Sequence, residues 1–233
     1  MTITLDGSLG ITAPPVLTVQ AGTATTQPIL LTSGTNLTTA AAGSVEYDGK
    51  VEYFTPQGTQ RGVSPAQQFY RLDSGLAGAN VNTAQSVFGV GVTLSSSTVY
   101  AFETTIIVSK SAGTTSHNFS IGFGGAATIN NISWQSVGGY ILSATASGSL
   151  TSGGTAVANS SSFTITQGSI SSAAITLVCL IKGTVSINAG GTFIPQYTLS
   201  AAPGGAYTTQ AGSYFLIYPI GASGANTNVG TWA

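Results

Sequence analysis

Residues 173–188 read AAITLVCLIKGTVSIN. The odd positions Ile175, Leu177, Cys179, Ile181, Val185 and Ile187 are apolar. The even positions begin apolar at Val178 and Leu180 and end polar at Lys182, Thr184, Ser186 and Asn188. A period of two over this length predicts a long β-strand that buries one face along all of it. The same period recurs on both sides. Tyr100, Phe102, Ile106 and Val108 share a face, with Glu103 on the other. Phe119, Ile121 and Phe123 follow, then Ile132 and Trp134, Phe163 and Ile165, and Phe193, Pro195, Tyr197 and Leu199. Phe88, Val90, Val92 and Leu94 alternate too, and residues 214–220 are apolar on both faces. Gly124-Gly125, Gly138-Gly139, Gly153-Gly154, Gly190-Gly191 and Pro203-Gly204-Gly205 punctuate these runs as turns. No segment offers a helical period. The fold class predicted is all-β, a β-sandwich or jelly roll.

The chain has 233 residues, of which 42% are hydrophobic and only 5% charged, for a net charge of −1. Roughly 25% charged is usual. Disorder through high charge and low hydrophobicity is thereby excluded, and no electrostatic footprint exists for nucleic acid or anionic lipid. A surface built from Ser, Thr, Asn, Gln and Gly suits a chain buried in a large assembly. Met1 leads into TITLDGSLG, without the basic start and apolar run of a signal peptide. The longest apolar run, 173–181, is too short to cross a bilayer, so no membrane insertion is expected.

Three regions are predicted. Residues 1–36 form an extended docking arm: Ile3, Leu5, Leu9 and Ile11 alternate with polar residues, and Pro14-Pro15 bars a central strand. Residues 37–68 form a β-hairpin hinge and trimerisation region that carries Glu46, Asp48, Lys50, Glu52 and Arg61. Residues 69–233 form the head, long enough to close one core. Asp48-Gly49 marks the hairpin. A three-residue loop, Asp48-Gly49-Lys50, would set Tyr47 against Val51, Val45 against Tyr53 and Glu46 against Glu52, with Gly49 or Lys50 left-handed. Such a hairpin cannot stabilise itself, and its expected cover is a second copy of the chain. In a sandwich each strand buries one face. Second apolar faces at Val178 and Leu180, or at Phe215 and Ile217, are expected to meet another subunit.

The chemistry-bearing residues are few. A catalytic triad needs a His beside a carboxylate. His117 is the one histidine, it is expected at a surface loop end, and Glu103 is the one acid past residue 73. Cys179 is alone and reads as an inert core thiol. Glu46, Asp48 and Glu52 suggest a turn and a solvated face rather than a metal site, and Gly122-Phe123-Gly124-Gly125 precedes no helix that could bind phosphate. No enzyme activity, cofactor or metal is expected. Trp134, Tyr140, Tyr207 and Trp232 lie near predicted turns or the terminus. There they either close the ends of the sandwich or stack on a partner. Trp134 and Tyr140 are the candidate surface contacts.

The opening TITLDGSLGITAP and the block LTTAAAGSVEYDGKVEYFTPQGTQRG resemble segments of tail-fibre-like virion structural proteins of tailed bacteriophages, particularly those of cyanobacteria. FGVGVTLSSSTVYAFE and the run from KGTVSINAGG to FLIYPIG are similar to the C-terminal regions of such proteins. Their shape is similar to trimeric tumour-necrosis-factor-like jelly rolls. The resemblance covers most of the chain, though residues 135–170 are generic, and no shaft repeat is present. It implies a homotrimer located in the virion, joined through its arm to other virion proteins and reaching a host surface glycan or protein. Two alternatives from other classes are a capsid decoration or cement protein without receptor binding, and a carbohydrate-binding module.

Overall fold

The computed structural model describes residues 19–141, 149–151, 155–157, 163–166, 169–226 and 228–232. Ile3, Leu5, Leu9, Ile11 and the Gly153-Gly154 turn lie outside the described residues. The described chain is all-β and contains no helix.

Three short strands come first: β1 (Val45–Tyr47), β2 (Glu52–Phe54) and β3 (Gly62–Ser64). Next come β4 (Gln68–Arg71), β5 (Leu76–Ala77), β6 (Gln85–Ser86) and β7 (Val92–Leu94). The long strands are β8 (Thr98–Lys110), β9 (Phe119–Gly124) and β10 (Thr128–Ile141), followed by the short β11 (Ser149–Thr151), β12 (Thr155–Val157) and β13 (Phe163–Thr164). The chain ends with β14 (Ile175–Ala189), β15 (Gly191–Leu199), β16 (Thr208–Thr209) and β17 (Tyr214–Ala222).

Two antiparallel sheets make a sandwich. The large one runs β4–β17–β8–β14–β10, with β16 and β5 continuing beside the end of β8 and β11 and β12 pairing with the outer side of β10. The facing sheet runs β13–β9–β15, with β6 and β7 on the far edge of β15. β14 and β8 are in register from Ile175↔Lys110 to Ile187↔Thr98. That unbroken ladder follows from the sequence, since a one-residue slip would turn Leu177, Cys179 and Ile181 outward. These three are fully buried, as are Ile106, Phe119 and Ile121, and Phe102 and Tyr197 join them in the core. Aromatic rings fill the middle. Phe123 stacks on Phe193 with centroids 4.9 Å apart, and Phe102 meets Phe123 edge-on at 5.0 Å. Each such pair adds about 0.5–1.5 kcal/mol to simple area burial.

Several expectations are corrected. Gly138-Gly139 is not a turn but lies inside β10, where Gly138 packs so closely that a Cβ would meet Ile165 Cγ2 at 3.0 Å and Val178 O at 3.2 Å. Phe215 and Ile217 are core residues, not a second apolar face. The outward face of β17 carries half-buried Tyr214 and Leu216 instead. Val90 is 46% exposed, and the alternation read from Phe88 becomes a strand only at Val92.

The hairpin also differs. Its register is Val45↔Phe54, Glu46↔Tyr53 and Tyr47↔Glu52, one residue off the expectation, so four residues rather than three form the loop. Asp48 is the cause. Its carboxylate accepts the N–H groups of Lys50 and Val51, each at 2.8 Å, and the Tyr53 hydroxyl at 2.9 Å. This closure widens the loop and turns Val51 inward to 1% exposure. Gly49 takes the left-handed φ of +90° that the turn requires. Part of the hairpin's cover comes from its own chain. β3 completes a three-stranded sheet through Tyr53↔Val63, and a Glu46–Arg61 pair at 2.8 Å ties the hairpin to the segment leading into β3. Lys50 reaches the sandwich, donating to the Ser96 carbonyl at 3.2 Å.

Burial would raise the Asp48 pKa, but the two N–H donors and Tyr53 outweigh it and hold the carboxyl below its ordinary value. Burial and the same Asp48 bond push the Tyr53 phenol up to about 12. Asp48→Asn, which exchanges one accepting oxygen for a donating amide, is expected to cost about 1 kcal/mol. Faster amide exchange at Val51 and Lys50 checks it, with the core strands of the sandwich unaffected.

Candidate functional site

Trp134 and Tyr140 do not form a surface pair. β10 passes straight through both positions and places Trp134 on its inward face, 2% exposed and edge-on to Phe123 at 5.6 Å. Trp134 is therefore a core residue, and its assignment as a surface contact is corrected. Tyr140 lies on the same strand, opposite Leu177 of β14. The Tyr140 side chain lies outside the described residues. Tyr207 is fully buried, whereas Trp232 is 79% exposed.

His117 is also not at the surface. It is 1% exposed at one end of the sandwich, bridged through its backbone to Ile170. Its Nδ1–H donates to the Thr115 carbonyl at 2.7 Å, which leaves Nε2 to accept the Tyr207 hydroxyl at 2.8 Å. Burial lowers its pKa, only partly opposed by the Thr115 bond, and the charge of Lys110 lowers it further. Lys110 is itself 5% exposed, its ammonium donating to the carbonyls of Gly113 at 2.7 Å and Ser172 at 2.6 Å. Both nitrogens of His117 are engaged in holding loops, and no carboxylate contacts the ring among the described residues. The cluster is thus a structural lock, with no geometry for a general base. Cys179 is fully buried and its thiol is pushed up to about 12 by burial, which makes it unreactive. Among the described residues no three His, Cys, Asp or Glu side chains gather as a metal group would require.

What the described surface does offer is apolar. On the outer face of the large sheet Val137 (42% exposed) sits opposite Leu180 (51%), and Gly139 sits opposite Val178 (36%). Beside this strip Lys182 and Glu103 pair at 2.9 Å, and the Tyr214 hydroxyl donates to Glu103 at 3.0 Å. The bonds from Lys182 and Tyr214 hold the Glu103 carboxyl below its ordinary range. Sequence alternation signalled the exposed side of β14, because Val178 and Leu180 interrupt its polar positions.

A second feature lies at the open edge of the sandwich. β4 pairs only with β17 among the described residues, and all four of its residues are exposed. Phe69 stacks on Tyr214 on the outer face, while Tyr70 turns inward, edge-on to Phe88 at 6.0 Å. Between this strand and the facing sheet runs an open groove of about 340 Å³, floored by Phe88, Phe215 and Ile217 and rimmed by Tyr70, Val90 and Pro195. The sequence does not signal it, since the groove depends on which sheet edge is left unpaired.

Neither a protein-family model, nor a curated protein, nor a solved structure matches this chain.

Proposed function

We propose that this chain is a structural subunit of a phage virion, a short homotrimeric tail fibre or spike that takes part in host attachment. The apolar strip on the outer face of the large sheet carries the reading. Val137, Val178 and Leu180 stand in adjacent registers on β10 and β14 with no cover from the rest of the described chain. Contiguous exposed apolar surface of this kind marks an interface, and closed cyclic symmetry would bury it in every copy. The sparse charge of the whole chain and the resemblance of its arm and hairpin blocks to fibre-like virion proteins support the same assignment. The sandwich forms the head, and the arm joins the subunit to its neighbours in the particle. A capsid decoration protein would use the same strip and arm without reaching a host.

Light scattering is expected to give three times the 23.2 kDa chain mass. Leu180→Asp, on an exposed position that leaves the core intact, is expected to shift that mass to the monomer without lowering helix-free β content by circular dichroism. A monomeric wild type at micromolar concentration would remove the basis of the proposal. Antibody labelling of intact particles under the electron microscope separates tail from capsid. Label on capsid vertices or faces with unimpaired host adsorption would replace the fibre by the decoration protein.

A further inference from the structure

We propose that the groove beside β4 is the seat of an added strand, supplied by residues 2–5 from the N-terminal arm of a neighbouring copy. The inference rests on the assembly reading above and names the site that the arm would occupy. The receiving side is built from two observations. The outer edge of β4 leaves a row of backbone N–H and C=O groups without partners among the described residues, and such an edge is a template for another strand. The groove next to it is apolar and open, with Tyr70 42% and Val90 46% exposed at its rim. An added strand would pair with the edge and lower alternate side chains into the groove. One side of it must therefore be apolar and the other polar.

The arm opens with a segment of that description. Thr2-Ile3-Thr4-Leu5 alternates polar and apolar residues, and all of Ile3, Leu5, Leu9 and Ile11 fall on odd positions, hence on one face of an extended chain. Four residues match the four of β4, a span of roughly 13 Å. Asp6-Gly7-Ser8 then breaks the strand pattern where β4 would also end. The rim residues Gln68, Phe69 and Tyr70 are uncharged, which suits an arm whose one charge is Asp6.

The described part of the arm makes no strand with its own head. It is tied down by the Gly34 N–H on Tyr47 O at 3.0 Å and by the Leu37 N–H on Glu46 Oε1 at 2.6 Å. Before that anchor, residues 19–32 are all exposed, with Ile29 at 64% and Leu30 at 68%. From Gly34 back to Leu5 an extended chain reaches at most roughly 100 Å, ample to cross to an adjoining subunit.

Disulfide trapping in the full-length chain tests the proposal. Chains carrying Thr2→Cys, Ile3→Cys, Thr4→Cys or Leu5→Cys are each co-expressed with a differently tagged chain carrying Gln68→Cys, then oxidised. Buried Cys179 gives no background. Neighbouring strands bring Cα atoms within disulfide range. A mixed dimer at twice the chain mass is expected for at least one arm position, and the same arm position paired with Leu180→Cys should give none. Adding Val90→Asp, a surface change, should abolish the mixed dimer while leaving the melting midpoint unchanged.

Equal cross-linking to the Leu180→Cys control, or no cross-link at any arm position, overturns the proposal. So does a double variant of one chain that closes only within itself, since the arm then serves its own head. If wild type is trimeric by light scattering and no arm position links, the groove assignment fails and the assembly reading stands. If wild type is monomeric, the assembly reading fails first.

Discussion

Trp134→Ala is expected to lower stability by about 3–5 kcal/mol, the cost of emptying a large aromatic site in a packed core. For a chain of this size that corresponds to a fall in melting temperature of roughly 6–20 °C. The expectation follows from where β10 puts the residue. Trp134 is 2% exposed, pairs with Gly183 of β14 across the sheet, and lies edge-on to Phe123, which stacks on Phe193. Gly183 has no side chain because Trp134 occupies its space: a Cβ there would meet Trp134 Cβ at 2.6 Å and Phe102 Cζ at 2.8 Å. Truncating the indole leaves a cavity that neither glycine nor the rigid ladder can refill. Urea denaturation of wild type and variant measures the effect. An unchanged midpoint would mean that the ring lies outside the core. Leu177→Ala, at a fully buried position in the next strand, provides the comparison at about 2–5 kcal/mol.

The same residue shows what the sequence made legible and what it hid. β8, β14 and β15 are readable because large apolar residues recur at a period of two along most of each buried face, although Thr98, Thr104 and Lys110 are also buried on β8. β10 breaks that rule. Its inward positions run Ile132, Trp134, Ser136 and Gly138, so the buried face changes from large and apolar to small and polar within one strand. With Gly138-Gly139 next to it, Trp134 therefore resembled a residue beside a turn. The pattern becomes intelligible only when Ile165 is seen filling the space above Gly138. The hairpin was misread for a different reason. Its register is set by three hydrogen bonds to the Asp48 carboxylate, and such a closure competes with the loop lengths that side-chain alternation alone would choose. β3 has only Gly62, Val63 and Ser64, too few residues to display any period. His117 was placed at the surface because it follows a polar loop. The loop instead folds over it, with Gly113 lying against the backbone of Pro203 and Gly204. Of the surface features, Leu180 and Val178 were visible in the alternation of β14. The groove at β4 was not, because it depends on which sheet edge remains unpaired.

Acidification from pH 7 to pH 5 is expected to weaken the fold through His117 before any carboxylate responds. Burial holds the His117 pKa below its ordinary 6.5. In the unfolded chain the ring takes up a proton near that ordinary value, whereas in the folded chain it stays neutral to lower pH. Stability is thus fully present above about pH 6.5, falls as pH drops below it, and levels off once the folded-state pKa is passed. For one proton the slope reaches at most ~1.4 kcal/mol per pH unit. The groups facing the ring reinforce the sign. Lys110 supplies a positive charge and Tyr207 an un-ionised hydroxyl, with Tyr197 behind it, and no carboxylate contacts the ring among the described residues. Protonation would also turn Nε2 from acceptor to donor, so the Tyr207 O–H would have to find another acceptor in the interior. Glu46, Asp48 and Glu103 have lowered pKa values, and their contributions are lost only below the ordinary carboxylate values of 4.5 and 3.8. The two windows therefore separate. Urea midpoints measured from pH 7 to 5 should fall for wild type and stay level for His117→Gln, even if the variant is less stable throughout. Parallel slopes for the two proteins would show that His117 titrates alike in both states and that the lock it forms with Thr115 and Tyr207 carries no proton linkage.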